Sequence, residues 1–491
     1  MMLSRQGFPA HQKAMYALTA FFGVLYGLVT FVNHALFRTY AFDLGIKNQT
    51  LWYFAHGKMA YSSLLPELQG DISIFANHFE PILVFLAPFW WIFGSWTLLV
   101  AQWAFVLWGG WGIYKLTQHW TGSGWTAVAM AWLYYWGWGF FSAFGYDFHT
   151  NVLAAGCIPW ALYYLWKQKV WAGLAVTLLW LSCKETQGLL LFFVGTGCLP
   201  MVWKQKKQRF LAMGLAGLGL LWFGVVMKVV MPYFAEGRIT YFHFHYSALG
   251  ENGGDLIQSV LSDPISAIKL MFINPYEQDK VPGNDKLKFI LAMVWSGGFL
   301  LVLRPAWIWM MVPILLQKLW SDQPAHWGPF FHYNAELMPL LVLGLARVSQ
   351  GVFTAPGKNW LLALLVLAAP EVTRRSLIWY RLYPWAREAV DFTFRPHYQR
   401  SFPVNQLHSI LKKIPEDASV AATDFVVPHL ANRADLFVLP DTGHAHYIMK
   451  VMDDRDLPPD QQAALSQIQP KIQDEILWQE GPFLLWKRHV P

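Results

Sequence analysis

Charge is what this sequence most lacks. Only 14% of its 491 residues are Asp, Glu, Lys or Arg, against 55% hydrophobic side chains, where soluble domains carry roughly 25% charge. A chain so composed cannot clothe its own surface in polar groups, which excludes an ordinary water-soluble globule. Cysteine is almost as scarce. Cys157, Cys183 and Cys198 lie in apolar stretches without metal-ligand spacing, so they read as small buried hydrophobes and say little about redox compartment. There is no GxGxxG, P-loop, zinc-finger spacing or GxSxG, and no short internal repeat, which removes the familiar soluble-enzyme readings. No small-residue cleavage site follows the first apolar run, 14–32, so that run is expected to stay as an anchor.

What is present points to lipid as solvent. The 28 Trp, 20 Tyr and 36 Phe are residues that gather where hydrocarbon meets headgroups. Apolar runs at 14–32, 96–114, 125–144, 152–166, 171–183, 188–203, 210–231, 289–303, 306–319, 337–346 and 360–369 predict about eleven membrane crossings. A further run, 81–93, is short and interrupted by Pro88, and reads as a re-entrant or interfacial helix. Under the positive-inside rule Arg5 and Lys13 hold the N-terminus in the cytoplasm. Alternation then places Lys115, Lys167, Lys169, the basic cluster 204–209, Arg304, Arg347 and Lys358 inside as well, with the acidic residues outside. The net charge of +7 therefore reflects anchoring at an anionic inner leaflet and implies no nucleic-acid partner.

Three outer segments remain: 33–80, 232–288 and everything after 369. The last turns abruptly rich in Asp, Arg, Pro and His, which marks a domain boundary between 371 and 384. The expected fold is mainly α: a polytopic helix bundle over 1–383 and a small extracytoplasmic α/β domain over 384–491. In that domain Asn405, Leu407, Ile410, Leu411 and Ile414 suggest an amphipathic helix, and 419–422, 436–439, 446–451 and 483–486 suggest short buried strands.

Chemistry should reside in ionisable groups held at the outer membrane face, where they are costly and need a reason. Asp43 leads, followed by a helical stretch at 46–56 and by Asn77-His-Phe-Glu-Pro81 before the chain re-enters the membrane. The run Phe42-Asp-Leu-Gly-Ile-Lys-Asn-Gln-Thr-Leu-Trp52, the segment Asn77-His-Phe-Glu-Pro-Ile82, Tyr146-Asp-Phe-His149, Ser182-Cys-Lys-Glu185 and Pro428-His-Leu-Ala-Asn-Arg433 together resemble a bacterial family. Its members are predicted multi-pass membrane proteins described only as a domain of unknown function, number two thousand and seventy-nine. The resemblance covers most of the chain. That family is similar in layout to the GT-C glycosyltransferases, which take sugars from polyprenyl-phosphate donors on the outer side of the membrane. The resemblance implies a plasma-membrane enzyme of the cell envelope, a polyprenyl-phosphate sugar donor, and a glycan, lipid or protein acceptor. It places Asp43 where that superfamily has its base or metal ligand.

The residues agree with such a reaction. Transfer from a lipid phosphate needs a base for the acceptor hydroxyl and cations or hydrogen-bond donors for the departing phosphate. Asp43 is the base candidate. His78, Lys184, Arg238, His243 and His245 are candidate cationic or hydrogen-bond donors to the phosphate, with His149 and Glu185 in the same substrate-binding set. Glu80 and Asp147 are expected to orient them or, with Asp43, to hold a divalent cation such as magnesium or manganese, a choice spacing leaves open. Duller roles stay open beside these. Asp43 suits a helix N-cap, Lys184 and Glu185 suit a helix-end ion pair, and 428–433 suits a turn with its own hydrogen bonds. At the level of the whole protein, a transporter or lipid flippase and a non-catalytic assembly factor are the rival readings.

Overall fold

The computed structural model describes residues 8–68, 71–274, 284–350, 359–379, 384–452 and 459–489. The chain is 66% helical with one small sheet. Helix α1 (Ala10–Ala35) leads into a first connecting segment with α2 (Ile46–Ala55) and α3 (Ile82–Phe93). Then come α4 (Thr97–Thr121), α5 (Gly124–Tyr135), α6 (Trp138–Phe144), α7 (Thr150–Trp166), α8 (Val170–Leu181), α9 (Gln187–Val202) and α10 (Lys206–Val225). A second connecting segment contains α11 (Met231–Ala235), α12 (Gly253–Ser262) and α13 (Pro264–Leu270). After it follow α14 (Asp285–Trp295), α15 (Pro305–Leu319), α16 (Pro324–Trp327), α17 (Leu337–Ser349) and α18 (Asn359–Ile378).

By length and apolarity three stretches among the described residues suffice to cross a membrane: Ala10–Ala35, Ile82–Thr121 and Lys206–Ala235. The second is not one rod. Gly94 sits at φ 53° and ψ −131°, which no helix accommodates, so α3 ends there and α4 begins afresh. The remaining apolar runs also fall on helix, in shorter pieces. Run 125–144 is split into α5 and α6 at Gly137, and 289–303 into α14 and a 3-10 stretch, Gly298–Leu303.

Glycine sets how closely the helices approach. A Cβ on Gly156 would lie 2.3 Å from Phe105 O, and one on Gly112 2.8 Å from Pro159 Cβ. Helices α4 and α7 therefore touch backbone to backbone, the packing that helices use where hydrophobic burial offers little drive.

The C-terminal unit contains α19 (Pro384–Val390), α20 (Val404–Leu411), β1 (Val420–Ala422), α21 (Val427–Leu430), β2 (Leu436–Val438), β3 (Tyr447–Val451), α22 (Pro459–Ser466), β4 (Glu475–Glu480) and β5 (Phe483–Lys487). Its sheet runs β2-β1-β3-β5-β4. Strand β1 pairs parallel with β2 and β3, and β5 pairs antiparallel with β3 and β4. All four strands expected from sequence are there. The one not foreseen, β4, is an edge strand with most side chains out of the core, so no apolar run announces it. Helix α20 buries Leu407 and Ile410 as its pattern suggested. The predicted boundary falls partly on residues 380–383, outside the described residues.

The first connecting segment and the C-terminal unit share one core, in which Phe37, Ile46 and Leu64 pack with Phe425, Val427 and Leu430. Arg38 fastens the joint from within. Buried at the end of the turn after α1, its guanidinium donates to the carbonyls of Pro396, His397 and Gln399 and to Glu388.

Candidate active site

Asp43 is displayed by a five-residue π-turn, Ala41–Gly45, closed by the Gly45 amide on Tyr40 O at 3.0 Å. It does not cap α2, whose N-cap is Gly45 and which receives no side-chain bond there. Two other carboxylates hold the amides at the start of the turn. Asp147 Oδ2 accepts from the Tyr40 and Leu44 amides at 2.8 and 3.5 Å, and Asp424 Oδ1 accepts from the Ala41 amide at 2.7 Å. Freed from capping, the Asp43 side chain keeps 28% of its surface open to solvent.

Asp147 sits at φ 53°, a left-handed conformation uncommon for a residue with a side chain. It is 3% exposed, and its second oxygen, Oδ1, has no hydrogen-bond partner among the described residues. Crowding three acids has electrostatic consequences. Burial lifts the Asp43 carboxyl above the ordinary carboxylate range, while the Tyr146 hydroxyl, which hydrogen-bonds it, and then Lys47 and Lys184 pull it back. Burial and the neighbouring Asp43 charge hold Asp147 well above that range. Asp424 is pushed up to about 6 by burial and by Asp43.

Opposite the acids stands a basic and imidazole-rich wall. Lys184 lies half-buried in the turn between α8 and α9, and its ammonium makes no ion pair or hydrogen bond among the described residues. Its expected partner Glu185 is engaged elsewhere: Oε1 pairs with His78 Nδ1 at 3.0 Å and accepts from the Tyr241 hydroxyl at 3.4 Å, and Oε2 accepts from the Phe79 amide at 3.2 Å. The His149 ring stacks on His332 with centroids 3.4 Å apart, and His78 stacks on His243 at 4.1 Å. Burial, then Lys184, depresses His149 well below the usual imidazole range, and burial, then His149, does the same to His332. The imidazoles are therefore neutral. His149 Nε2 and His332 Nδ1 have no hydrogen-bond partners among the described residues, and His149 Nε2 lies 3.9 Å from Asp43 Oδ1.

Of the residues predicted from sequence, Asp43, Asp147, His149 and Lys184 converge on this cluster, with His78, Glu185 and His243 along its flank. Glu80 is adjacent but committed, one oxygen to the Lys47 ammonium and the other to the Thr150 hydroxyl at 2.8 Å, so it anchors Lys47. His243 bonds Asn77 Oδ1 at 2.6 Å, and His245 faces Asp322 at 3.8 Å. Arg238 stands outside. At the surface it pairs with Asp71 and Glu236, both at 2.9 Å, and its charge is satisfied there. Among the described residues no group of three or more His, Cys, Asp or Glu is arranged as a metal-holding cluster. The 428–433 motif is structural, since Arg433 donates to the carbonyls of Leu430, Pro415 and Ala418. Sequence reading missed Lys47, Tyr146, His332 and Asp424. Tyr146 and Lys47 lie inside quoted motifs, whereas nothing in the surrounding sequence sets Asp424 apart.

A bundle of membrane helices joined to a small sheet unit, with acids facing a basic wall between them, defines a class. The chain is similar in fold to ArnT from Cupriavidus metallidurans, a GT-C glycosyltransferase solved bound to undecaprenyl phosphate. The TM-score is 0.51 at 12% identity, over 97% of this chain and 98% of that one. At that identity the likeness is one of fold. No curated protein matches the sequence. The chain belongs to the family described as predicted membrane protein (DUF2079), whose model matches residues 33–480.

Proposed function

We propose that this protein is a glycosyltransferase-like membrane enzyme that moves a sugar from a polyprenyl-phosphate donor to an acceptor at the outer face of the plasma membrane. The observation that carries the reading is the unpaired Lys184 ammonium beside the unpartnered nitrogens of His149 and His332, set across from a solvent-accessible Asp43. That arrangement suits a phosphate on one side and a hydroxyl on the other. ArnT is bound to undecaprenyl phosphate in a related fold, which supports the donor class.

In the proposed reaction the acceptor hydroxyl gives its proton to Asp43 as its oxygen bonds to the anomeric carbon. The bond from that carbon to the phosphate oxygen breaks, and its electron pair leaves with the lipid phosphate. Lys184 and the imidazole N–H groups meet the charge that develops there. A carboxylate with raised proton affinity is the stronger base for this step, and Tyr146 orients it. The N-terminus lies in the cytoplasm and the C-terminal unit outside, as an extracytoplasmic domain, with about eleven crossings between them. The acceptor is a glycan, a lipid or a protein.

The test is sugar transfer by purified, lipid-reconstituted protein over a panel of polyprenyl-phosphate donors. Asp43→Asn should lower turnover roughly 10²-fold or more with little change in stability. Lys184→Gln should chiefly raise the donor KM. Full turnover in Asp43→Asn would end the case for this residue as base. An unmutated protein idle on every donor would shift weight to transport or envelope assembly.

A further inference from the structure

Segments far apart in the chain build the site, and among the described residues the C-terminal contribution is a single carboxylate. Asp424 opens a short 3-10 turn, Asp424–Val426, directly after β1. Thr423 before it is locked into the sheet: its amide donates to Met449 O at 3.1 Å, and its hydroxyl accepts from the Val451 amide at 2.9 Å. From this fixed corner Asp424 takes the Ala41 amide, two positions ahead of Asp43. The approach is close. A Cβ on Gly45 would meet Val427 Cγ1 at 3.2 Å, so a larger residue there would require Val427 to give way by a few tenths of an ångström. Further along α2, Asn48 donates to Pro428 O, and Gln49 donates to Arg433 O and Ala434 O. The Ser63 hydroxyl donates to Leu436 O at 2.7 Å and accepts from the Leu436 amide at 3.0 Å. The sheet unit is thus docked along the whole segment that displays the base.

We propose that Asp424 is a positioning residue of the transfer site, aiming Asp43 through the Ala41 amide. The inference rests on Asp43 being the base. Asp147 performs the matching task from the helix bundle through the Tyr40 and Leu44 amides, so the turn is gripped from two directions. The other groups facing Asp43 are Tyr146, His149 and Tyr333 from the bundle, Lys47 on its own segment, and Lys184 from the turn after α8. Among the described residues Asp424 is the one that faces it from the C-terminal unit, and the charge of Asp43 raises the proton affinity of Asp424. The sign follows. Asp43 ionises before Asp424, so neutralising Asp43 lets Asp424 release its proton at lower pH, whereas neutralising Asp424 leaves the acidic limb that Asp43 sets where it was.

The experiment uses the full chain in lipid vesicles, with Asp424→Ala and Asp424→Asn. Alanine removes both the acceptor and the charge, and is expected to lower kcat at least about tenfold with the donor KM changed little. Asparagine keeps an acceptor for the Ala41 amide. It should recover most of the turnover that alanine loses, with the acidic limb where it stands in the unmutated protein. Equal losses in the two variants would mark Asp424 as a docking contact only and overturn the proposal, as would full turnover in Asp424→Ala. A readout free of turnover separates this from the transferase reading. The protonated-carboxyl infrared band of Asp424, isolated by subtracting the spectrum of Asp424→Asn, should titrate at lower pH in Asp43→Asn. If that band moves while no donor reacts, the link between the two acids stands and the transferase reading falls. A band that does not move overturns the link.

Discussion

At Asp43, burial and the Tyr146 hydroxyl pull proton affinity in opposite directions. A hydroxyl that donates to a carboxylate favours the ionised form, so removing it raises the pKa. Tyr146→Phe should therefore move the acidic limb of kcat to higher pH, whereas Asp424→Asn should leave it in place, and a limb that stays put in Tyr146→Phe would mean that the hydroxyl does not face the reacting carboxyl. The same residues show what sequence can reveal about such a site. Asp43, Asp147, His149 and Lys184 were legible because an ionisable side chain beside long apolar runs is rare enough to need a reason. Arg238 passed the same test and failed in space, because Asp71 and Glu236 sit at its side and leave it nothing to recruit. Asp424 stayed hidden for the converse reason. It lies in a stretch where charge is ordinary, and its role exists only once the chain has folded back by 383 residues to Ala41.

Among the elements, the contact of α4 with α7 depends on the absence of side chains. Placing a methyl group at Gly156 drives it against Phe105 O, and such overpacking costs about 1–3 kcal/mol. Gly156→Ala should accordingly lower the thermal midpoint of detergent-solubilised protein. Gly214→Ala on α10, where a Cβ meets nothing within 4 Å, should leave it unchanged or slightly higher, since alanine is the better helix former. Equal midpoints for the two variants would mean that α4 and α7 do not meet as closely as described. Element types were readable wherever one period dominated, as in α20 and the four buried strands. Where the pattern thinned, it misled: run 125–144 reads as one span yet breaks at Gly137, and β4 shows too few buried residues to register.

For the molecule as a whole, the proposed orientation sets every long connecting segment outside and the basic cluster 204–209 inside. A reporter that works only outside the cytoplasm should be active when fused after Pro491 and silent when fused at Lys206, and the opposite pattern would invert the topology. The helix bundle was legible from apolar run lengths. The docking of the C-terminal unit onto the first connecting segment was not, because its shared apolar core and its polar contacts, such as those of Arg38 and Gln49, join residues far apart in sequence that share no periodicity. That docking also has a consequence in time. The ribosome makes Ala41 383 residues before Asp424, so the amide of the turn after α1 waits for its partner through that whole interval. On the function proposed above, a nascent chain not yet extended past Asp424 would be inserted yet idle.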